Sequence, residues 1–453
     1  MIGTVVIRSP HDGTIVGEHP RPPARDVDAA LAAADDARTA WGRRPPAERR
    51  AVLRQVAVVL RARVAPLAAL AVVEMAKPIR QARAEIEKCA ACCDWYAETP
   101  GLLDDVAGPT IGDVVRLAPL GTLLAIMPWN YPYWQFVRVL VPALLLGNAV
   151  VLKPADQTIG CAHALHDALV AAGVPAALVP VLPLAHDAIP PVIAAPAIAA
   201  VTLTGSERAG RAVAAQAGAQ GKPVVLELGG SDPFVVWHDA DLAAAAQAAT
   251  TSRCLNNGQS CIAAKRIIVH AEVHDAFVEA FVAAMRAQRV GDPRDEATDI
   301  GPLVSPPARD TVARQVAATR DAGARLLLGG VPDGPVGWCP PTVVAEIPDA
   351  TPLADEECFA PVAALWRVVS FEAALARANA TRFGLGASVW TRDPSTWSRF
   401  ADGIVAGSVM ANRVMASDPA LPFGGVRASG VGRELGHAGL HAFANVQTLR
   451  GLV

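Results

Sequence analysis

Residues 121–156 read GTLLAIMPWNYPYWQFVRVLVPALLLGNAVVLKPAD, and they hold most of the most apolar region of the chain, residues 117–152. Pro119, Pro128, Asn130, Pro132, Gln135, Arg138, Pro142 and Asn148 interrupt that region. It therefore never reaches the ~18 uninterrupted apolar residues of a spanning helix, and it reads as buried core. Residues 122–127 and 149–152 are short runs of β-branched and aliphatic side chains with strand character. Residues 178–182 and 200–203 repeat the texture, with Ala-rich helical sequence such as 159–172 between them. Such alternation predicts a parallel sheet covered on both faces.

On the N-terminal side, residues 27–98 are rich in Ala, Arg, Glu and Leu at helical spacing. Pro45, Pro66 and Pro78 stand where helices start or break, so this is a layer of helices. On the C-terminal side a second set begins after Gly229: a strand over 234–237, a helix over 240–253, a strand over 265–270 and a helix over 274–288. A second α/β domain follows. The Pro- and Gly-rich residues 329–341 read as a surface loop, and 421–436 are too glycine-dense for regular structure.

The chain has 453 residues, beyond the ~250–300 at which a single core stops growing, so two or three domains are expected. Its composition, 52% hydrophobic and 18% charged, excludes disorder. With 40 Lys and Arg against 43 Asp and Glu there is no broad cationic field. Neither nucleic acid nor a membrane surface is an expected partner. The N-terminus lacks a basic segment followed by an apolar one, which points to the cytoplasm. Its 8 cysteines then read as reduced thiols.

Asn-Asn-Gly-Gln-Ser-Cys at 256–261 is a polar turn between a helix and a strand. Cys261 there is either a nucleophile or, as an arbitrary cysteine more often is, a small buried hydrophobe. Glu-Leu-Gly-Gly at 227–230 puts a carboxylate at a strand end, pointing into a cleft. Alone Glu227 would be an ordinary surface acid; beside Cys261, with a pKa raised by burial, it is a general base. Met-Pro-Trp-Asn-Tyr-Pro at 127–132 fixes Asn130 rigidly, either as a donor to an oxyanion or as a cap on its own turn. Gly-Ser-Glu-Arg-Ala-Gly at 205–210 opens a helix after a strand and offers backbone N–H groups to a pyrophosphate, although its spacing is not the dinucleotide fingerprint. Lys153 and Asp156 stand at a strand end, where a nucleotide meets a doubly wound sheet, or are a solvated charge pair. Cys89, Cys92 and Cys93 share a helical stretch without a second ligand pair and read as core; no metal is expected.

MPWNYP, KPAD, GSERAG, ELGG, NNGQSC, EECFAPV and PFGGVRASGVGREL occur in the order and approximate spacing of the aldehyde dehydrogenase superfamily, which the chain resembles over nearly its whole length. The resemblance implies that Cys261 is the nucleophile, that Asn130 and the Cys261 amide form the oxyanion hole, and that Glu227 is the base for deacylation. Glu434 would relay a proton to Glu227. For the cofactor it implies Trp129, Lys153, Asp156, Gly205, Ser206, Leu228, Gly229, Glu357 and Phe359. A finer likeness to short succinate-semialdehyde dehydrogenases puts Arg138, Ser417 and Phe423 at the substrate, with the Arg138 fork on a carboxylate; a buried structural ion pair is the other reading of Arg138. Leu255 stands where some of these enzymes carry a second arginine.

The implied fold is α/β, with two doubly wound domains and a small bridging element. Residues 1–98 and 121–228 would bind coenzyme, 229–436 would form the catalytic domain, and 99–120 with 437–453 would bridge subunits of a homodimer or homotetramer. Asp156 keeps a carboxylate that repels a 2′-phosphate, so NAD is expected over NADP. The expected reaction is oxidation of an aldehyde, succinate semialdehyde or a similar carboxylated one, through a Cys261 thiohemiacetal and thioester. Three alternatives stand beside it: another aliphatic or aromatic aldehyde, a CoA-acylating dehydrogenase, and a non-catalytic family member.

Overall fold

The computed structural model describes residues 3–109, 112–330 and 337–451. Parallel strands Thr122–Ile126, Ala149–Lys153, Ile198–Thr204 and Val224–Glu227 make most of a 5-stranded sheet. Every residue of Thr122–Ile126 and Ala149–Lys153 is buried. That is why these runs are continuously apolar: neither face of the strand meets water. From Thr122–Ile126 the chain passes to Ala149–Lys153 on one side, and the next strand, Ile198–Thr204, returns on the other. This reversal is the switch point of a doubly wound sheet, and a crevice opens there at the carboxyl ends of the strands.

The helix that follows Thr122–Ile126 is Trp134–Leu146, buried at every residue. Its first N–H groups would be orphans, and the Glu85 carboxylate on helix Ile79–Glu98 accepts those of Tyr133 and Trp134, both at 2.9 Å. The helix stops at Gly147, whose φ of +106° needs glycine and whose N–H returns to the Ala143 carbonyl. Each Leu or Val it removes from water is worth about 1.5–3 kcal/mol. Arg138, in the middle of this helix, is therefore almost wholly buried.

The N-terminal layer consists of Ala24–Gly42, Pro46–Ala62, Val64–Met75 and Ile79–Glu98. Pro45 and Pro78 cap helix starts and Pro66 lies in a first turn, where a missing N–H costs nothing. Cys89, Cys92 and Cys93 are fully buried in the core this layer shares with the first sheet. Residues 178–182 do not form the expected strand. Ala176–Leu178 is a single 3-10 turn, and Pro180, which has no N–H for a ladder, limits pairing to an isolated bridge between Leu152 and Val181.

Between Glu227 and Asp232 the chain crosses into a 7-stranded sheet whose centre is Val362–Val368, Ala264–His270, Asp232–Val236 and Gly386–Trp390, all parallel. Helices Leu242–Cys254 and His274–Arg286 lie in the stretches read as helical. The glycine-dense stretch from 421 onward is mostly irregular but contributes Gly430–Val431, an antiparallel edge of the first sheet. Strand Val114–Pro119 pairs with Val106–Ala107 on one side and with the C-terminal Ala444–Leu449 on the other. Of the loop read at 329–341, residues 331–336 lie outside the described residues. Among the described residues no single helix is long and apolar enough to cross a membrane.

Candidate active site

After helix Leu242–Cys254 the chain makes three successive left-handed residues: Asn256 (φ +57°), Asn257 (φ +58°) and Gly258 (φ +71°). A Cβ on residue 258 would lie 2.2 Å from the Ala360 carbonyl carbon, so only glycine fits. The two asparagines each carry backbone strain of about 1–2 kcal/mol. Their side chains offset it. Asn256 Nδ2 donates to the carbonyls of Asn130 (2.8 Å) and Gln259 (3.0 Å). Asn257 Nδ2 donates to those of Ala76 (2.9 Å) and Pro302 (3.0 Å), while its Oδ1 accepts from Gly301 N (2.7 Å). Beyond the turn, Lys265 Nζ donates to the carbonyls of Ser260 (2.7 Å) and Cys261 (2.8 Å). The loop delivers Cys261 to a fixed place.

That place is a wall shared by two cavities. The larger, about 530 Å³, is bordered by Cys261, Arg138, Ser417 and Phe423 of the expected residues, and by Lys88 and Trp134, which sequence reasoning did not select. The smaller, about 230 Å³, is the switch-point crevice. Trp129, Asn130, Gly205 and Ser206 border it from the first sheet; Leu228, Gly229, Glu357, Phe359 and Cys261 close it. Burial pushes the Cys261 thiol up to about 12, against the pull of Lys265 and Arg138. Asn130 Nδ2 donates to the Gln259 carbonyl at 3.0 Å and has a second N–H to give.

Glu227, at the end of Val224–Glu227, is 2% exposed and borders neither cavity. It does not open into a cleft as expected, because Gly424 packs on its carboxylate and Gly430–Val431 covers its strand. Both carboxylate oxygens are buried without a hydrogen-bond partner among the described residues. Burial first, then Glu434, holds its pKa well above the usual carboxylate range, against Arg138 and Arg433. Glu434 forms a fully buried ion pair with Arg138, and accepts from Thr202 Oγ1 at 3.4 Å. Arg138 also donates to Thr204 Oγ1 (3.1 Å) and lies over the Phe423 ring. The guanidinium expected to grip a substrate is thus spent inside the protein.

The model of the Aldehyde dehydrogenase family matches residues 3–449. The chain belongs to that family. It is 45% identical over 431 residues to a Mycobacterium tuberculosis protein named succinate-semialdehyde dehydrogenase, NADP(+)-dependent, covering 94% of each. An Escherichia coli succinate semialdehyde dehydrogenase, named for NAD(P)+, is 45% identical over 432 residues, 94% of this chain and 93% of the other. The Streptococcus pyogenes succinic semialdehyde dehydrogenase solved with NADP+ superposes with a TM-score of 0.95 at 32% identity, over 98% and 99% of the two chains. This protein is accordingly an oxidoreductase of aldehyde groups that uses a nicotinamide cofactor, built on the aldehyde dehydrogenase fold.

The crevice of this aldehyde dehydrogenase suits a dinucleotide. Ser206 caps helix Glu207–Ala219 through Ala209 N, and the helix N-terminus faces the cavity with N–H groups for a pyrophosphate. Trp129 and Phe359 meet edge to face at 5.8 Å. Glu357 accepts from Gly230 N at 3.1 Å and lies 3.4 Å from Lys265. Lys153 and Asp156 do not border the crevice. Asp156 is held by Arg21, Nη2 to Oδ2 at 2.5 Å and Nη1 to Oδ1 at 3.3 Å. Arg21 cancels the charge on which the expectation of NAD rests. Sequence reading missed Arg21 because it reaches Asp156 from the far end of the chain, and it missed Lys88 because a helix of mixed charge hides which cation turns inward. The buried pair of Lys77 and Glu85, beneath Tyr131, escaped it for the same reason.

Proposed function

We propose that this enzyme oxidises succinate semialdehyde, or an aldehyde closely similar in bearing a carboxylate, to the acid, with Cys261 as nucleophile and with NADP accepted as well as NAD. The observation that carries the reading is that Cys261 borders both the switch-point crevice and the larger cavity. An aldehyde entering one and a nicotinamide entering the other would meet at the sulfur. The carboxylated substrate is supported by the names of relatives at 45% identity, and NADP by those names together with the neutralised Asp156.

In this reading the Cys261 thiol gives its proton to solvent as sulfur bonds to the aldehyde carbon, and Lys265 and Arg138 are the cations that ease the ionisation. Asn130 Nδ2 and the Cys261 backbone N–H receive the oxyanion of the thiohemiacetal. The bound nicotinamide supplies the two-electron acceptor for the hydrogen on that carbon. The thioester left on Cys261 is cleaved by water: its hydroxyl goes to the acyl carbon, the acid leaves, and the Cys261 thiolate takes a proton back. The family resemblance gives the base role to Glu227, which has to turn out of its covered position to receive the water proton, since as it stands it borders neither cavity. A raised pKa makes the carboxylate a stronger base toward water. Glu434, in the same buried charge cluster, is the relay that exchanges protons with Glu227. The unpaired Glu227 favours water over a thiol as acceptor, hence hydrolysis over CoA acylation.

The exposed edge of Ala444–Leu449, with Val446 outward, suits pairing of subunits into a homodimer or homotetramer. Its 8 cysteines are free thiols, in keeping with a cytoplasmic enzyme. The test is formation of reduced cofactor from succinate semialdehyde. Cys261→Ala should lower kcat by about 10³-fold or more. Full activity in that variant refutes the nucleophile, and wild type equally active on butyraldehyde refutes the carboxylated substrate.

A further inference from the structure

Lys77, Arg80, Lys88 and Arg138 are the cations that border the larger cavity. Lys77 is paired with Glu85, Arg80 with Asp299 at 2.6 Å, and Arg138 with Glu434. Lys88 has no carboxylate at ion-pair distance among the described residues. Its ammonium lies 4.4 Å from the Trp134 ring centroid and donates to Ser417 Oγ at 2.8 Å. Trp134 Nε1 donates to the same oxygen at 3.1 Å. Both lone pairs of the Ser417 hydroxyl are thereby taken, and its proton is left to be donated. Lys88 keeps two N–H groups of its own. The cluster therefore offers donors and one unbalanced positive charge, in a cavity that also holds the nucleophile.

We infer that Lys88, beside the Ser417 already expected at the substrate, anchors the distal carboxylate and sets the preference for a carboxylated aldehyde, the charge-bearing role that sequence reading gave to Arg138. The inference rests on the proposed carboxylated substrate. A carboxylate there would gain charge-assisted bonds from Lys88 and from the Ser417 O–H, and would balance the one uncompensated charge in the cavity wall. Burial and the neighbouring Arg138 bring Lys88 down to about 8, with Asp418, Cys89 and Cys92 pulling the other way. An incoming anion replaces part of the lost hydration and relieves that strain. A neutral aldehyde of the same length leaves it in place.

The experiment compares kcat/KM for succinate semialdehyde and for butyraldehyde in wild type, Lys88→Met and Lys88→Arg. Wild type should prefer the acid. In Lys88→Met the ratio of the two values should fall about tenfold to a hundredfold, chiefly through KM for the acid, and Lys88→Arg should keep most of it. The ammonium is charged below its pKa, so the wild-type ratio should also decline as pH rises through about 8, while that of Lys88→Arg stays level. A wild type without preference overturns the carboxylated substrate itself. A wild type that prefers the acid, with a ratio unchanged in Lys88→Met or flat with pH, leaves that reading standing and overturns the assignment to Lys88.

Discussion

Arg138→Met separates a structural cation from a substrate clamp. The side chains of Arg138 and Glu434 are 3% and 1% exposed, so neither has water to turn to. Removing the guanidinium leaves Glu434 as a buried carboxylate with Thr202 as its side-chain hydrogen-bond donor among the described residues, and Glu227 close enough to disfavour its charge. Breaking a buried pair from one side costs about 3–5 kcal/mol, and the bond to Thr204 and the contact over Phe423 are lost with it. For a cooperative unit of about 150–250 residues this lowers the melting temperature by roughly 6–20 °C. Thermal unfolding followed by circular dichroism measures it. The double variant Arg138→Met/Glu434→Gln removes the orphaned charge and should recover most of the loss. Loss of the cation also raises Glu227 further, so the acidic limb of kcat should move to higher pH. Arg138→Met melting within about 2 °C of wild type, or a double variant no more stable than the single one, refutes the argument.

Two further outcomes follow from the site. With its thiol pushed up to about 12, half-buried Cys261 without ligands should react with iodoacetamide slowly at neutral pH and about tenfold faster per unit of pH through the alkaline range; a rate that levels off below pH ~8 would contradict the raised pKa. Arg21→Ala should bare the Asp156 carboxylate and shift the ratio of kcat/KM for NAD over NADP upward by about threefold to tenfold, a modest effect because the pair is partly exposed. The two cofactors assayed at equal ionic strength decide it, and an unmoved ratio excludes Arg21 from cofactor choice.

The parallel sheet was legible because its strands are buried on both faces: the apolar runs at 122–127 and 149–152 need no partner to be recognised. Residues 178–182 have the same apolarity but contain Pro180, and the N–H it lacks mattered more than the hydropathy. At the site, the polar turn before Cys261 could be read because its strain is local, written in Asn256, Asn257 and Gly258. Pairing between distant residues could not. Nothing near Arg138 in the chain announces Glu434, and nothing near Asp156 announces Arg21. The ion pair given as the other reading of Arg138 is the one that forms, and Asp156 pairs too, but each partner lies far along the chain and could not be named from it. Lys88 is the converse: an ordinary helical lysine in sequence, which folding leaves without a carboxylate partner among the described residues.

The turn carrying Cys261 has one more consequence. Its asparagines are fastened to Ala76, Asn130 and Pro302, groups contributed by the helical layer, by the end of the first sheet and by a loop beside the second. Without all three, most of what offsets the left-handed backbone is gone, and the sulfur has no fixed address. A chain still folding, with one part formed and the others loose, would carry a cysteine but no reagent. Reactivity toward aldehydes is in this sense a proof of assembly, withheld until the last of those anchors has docked.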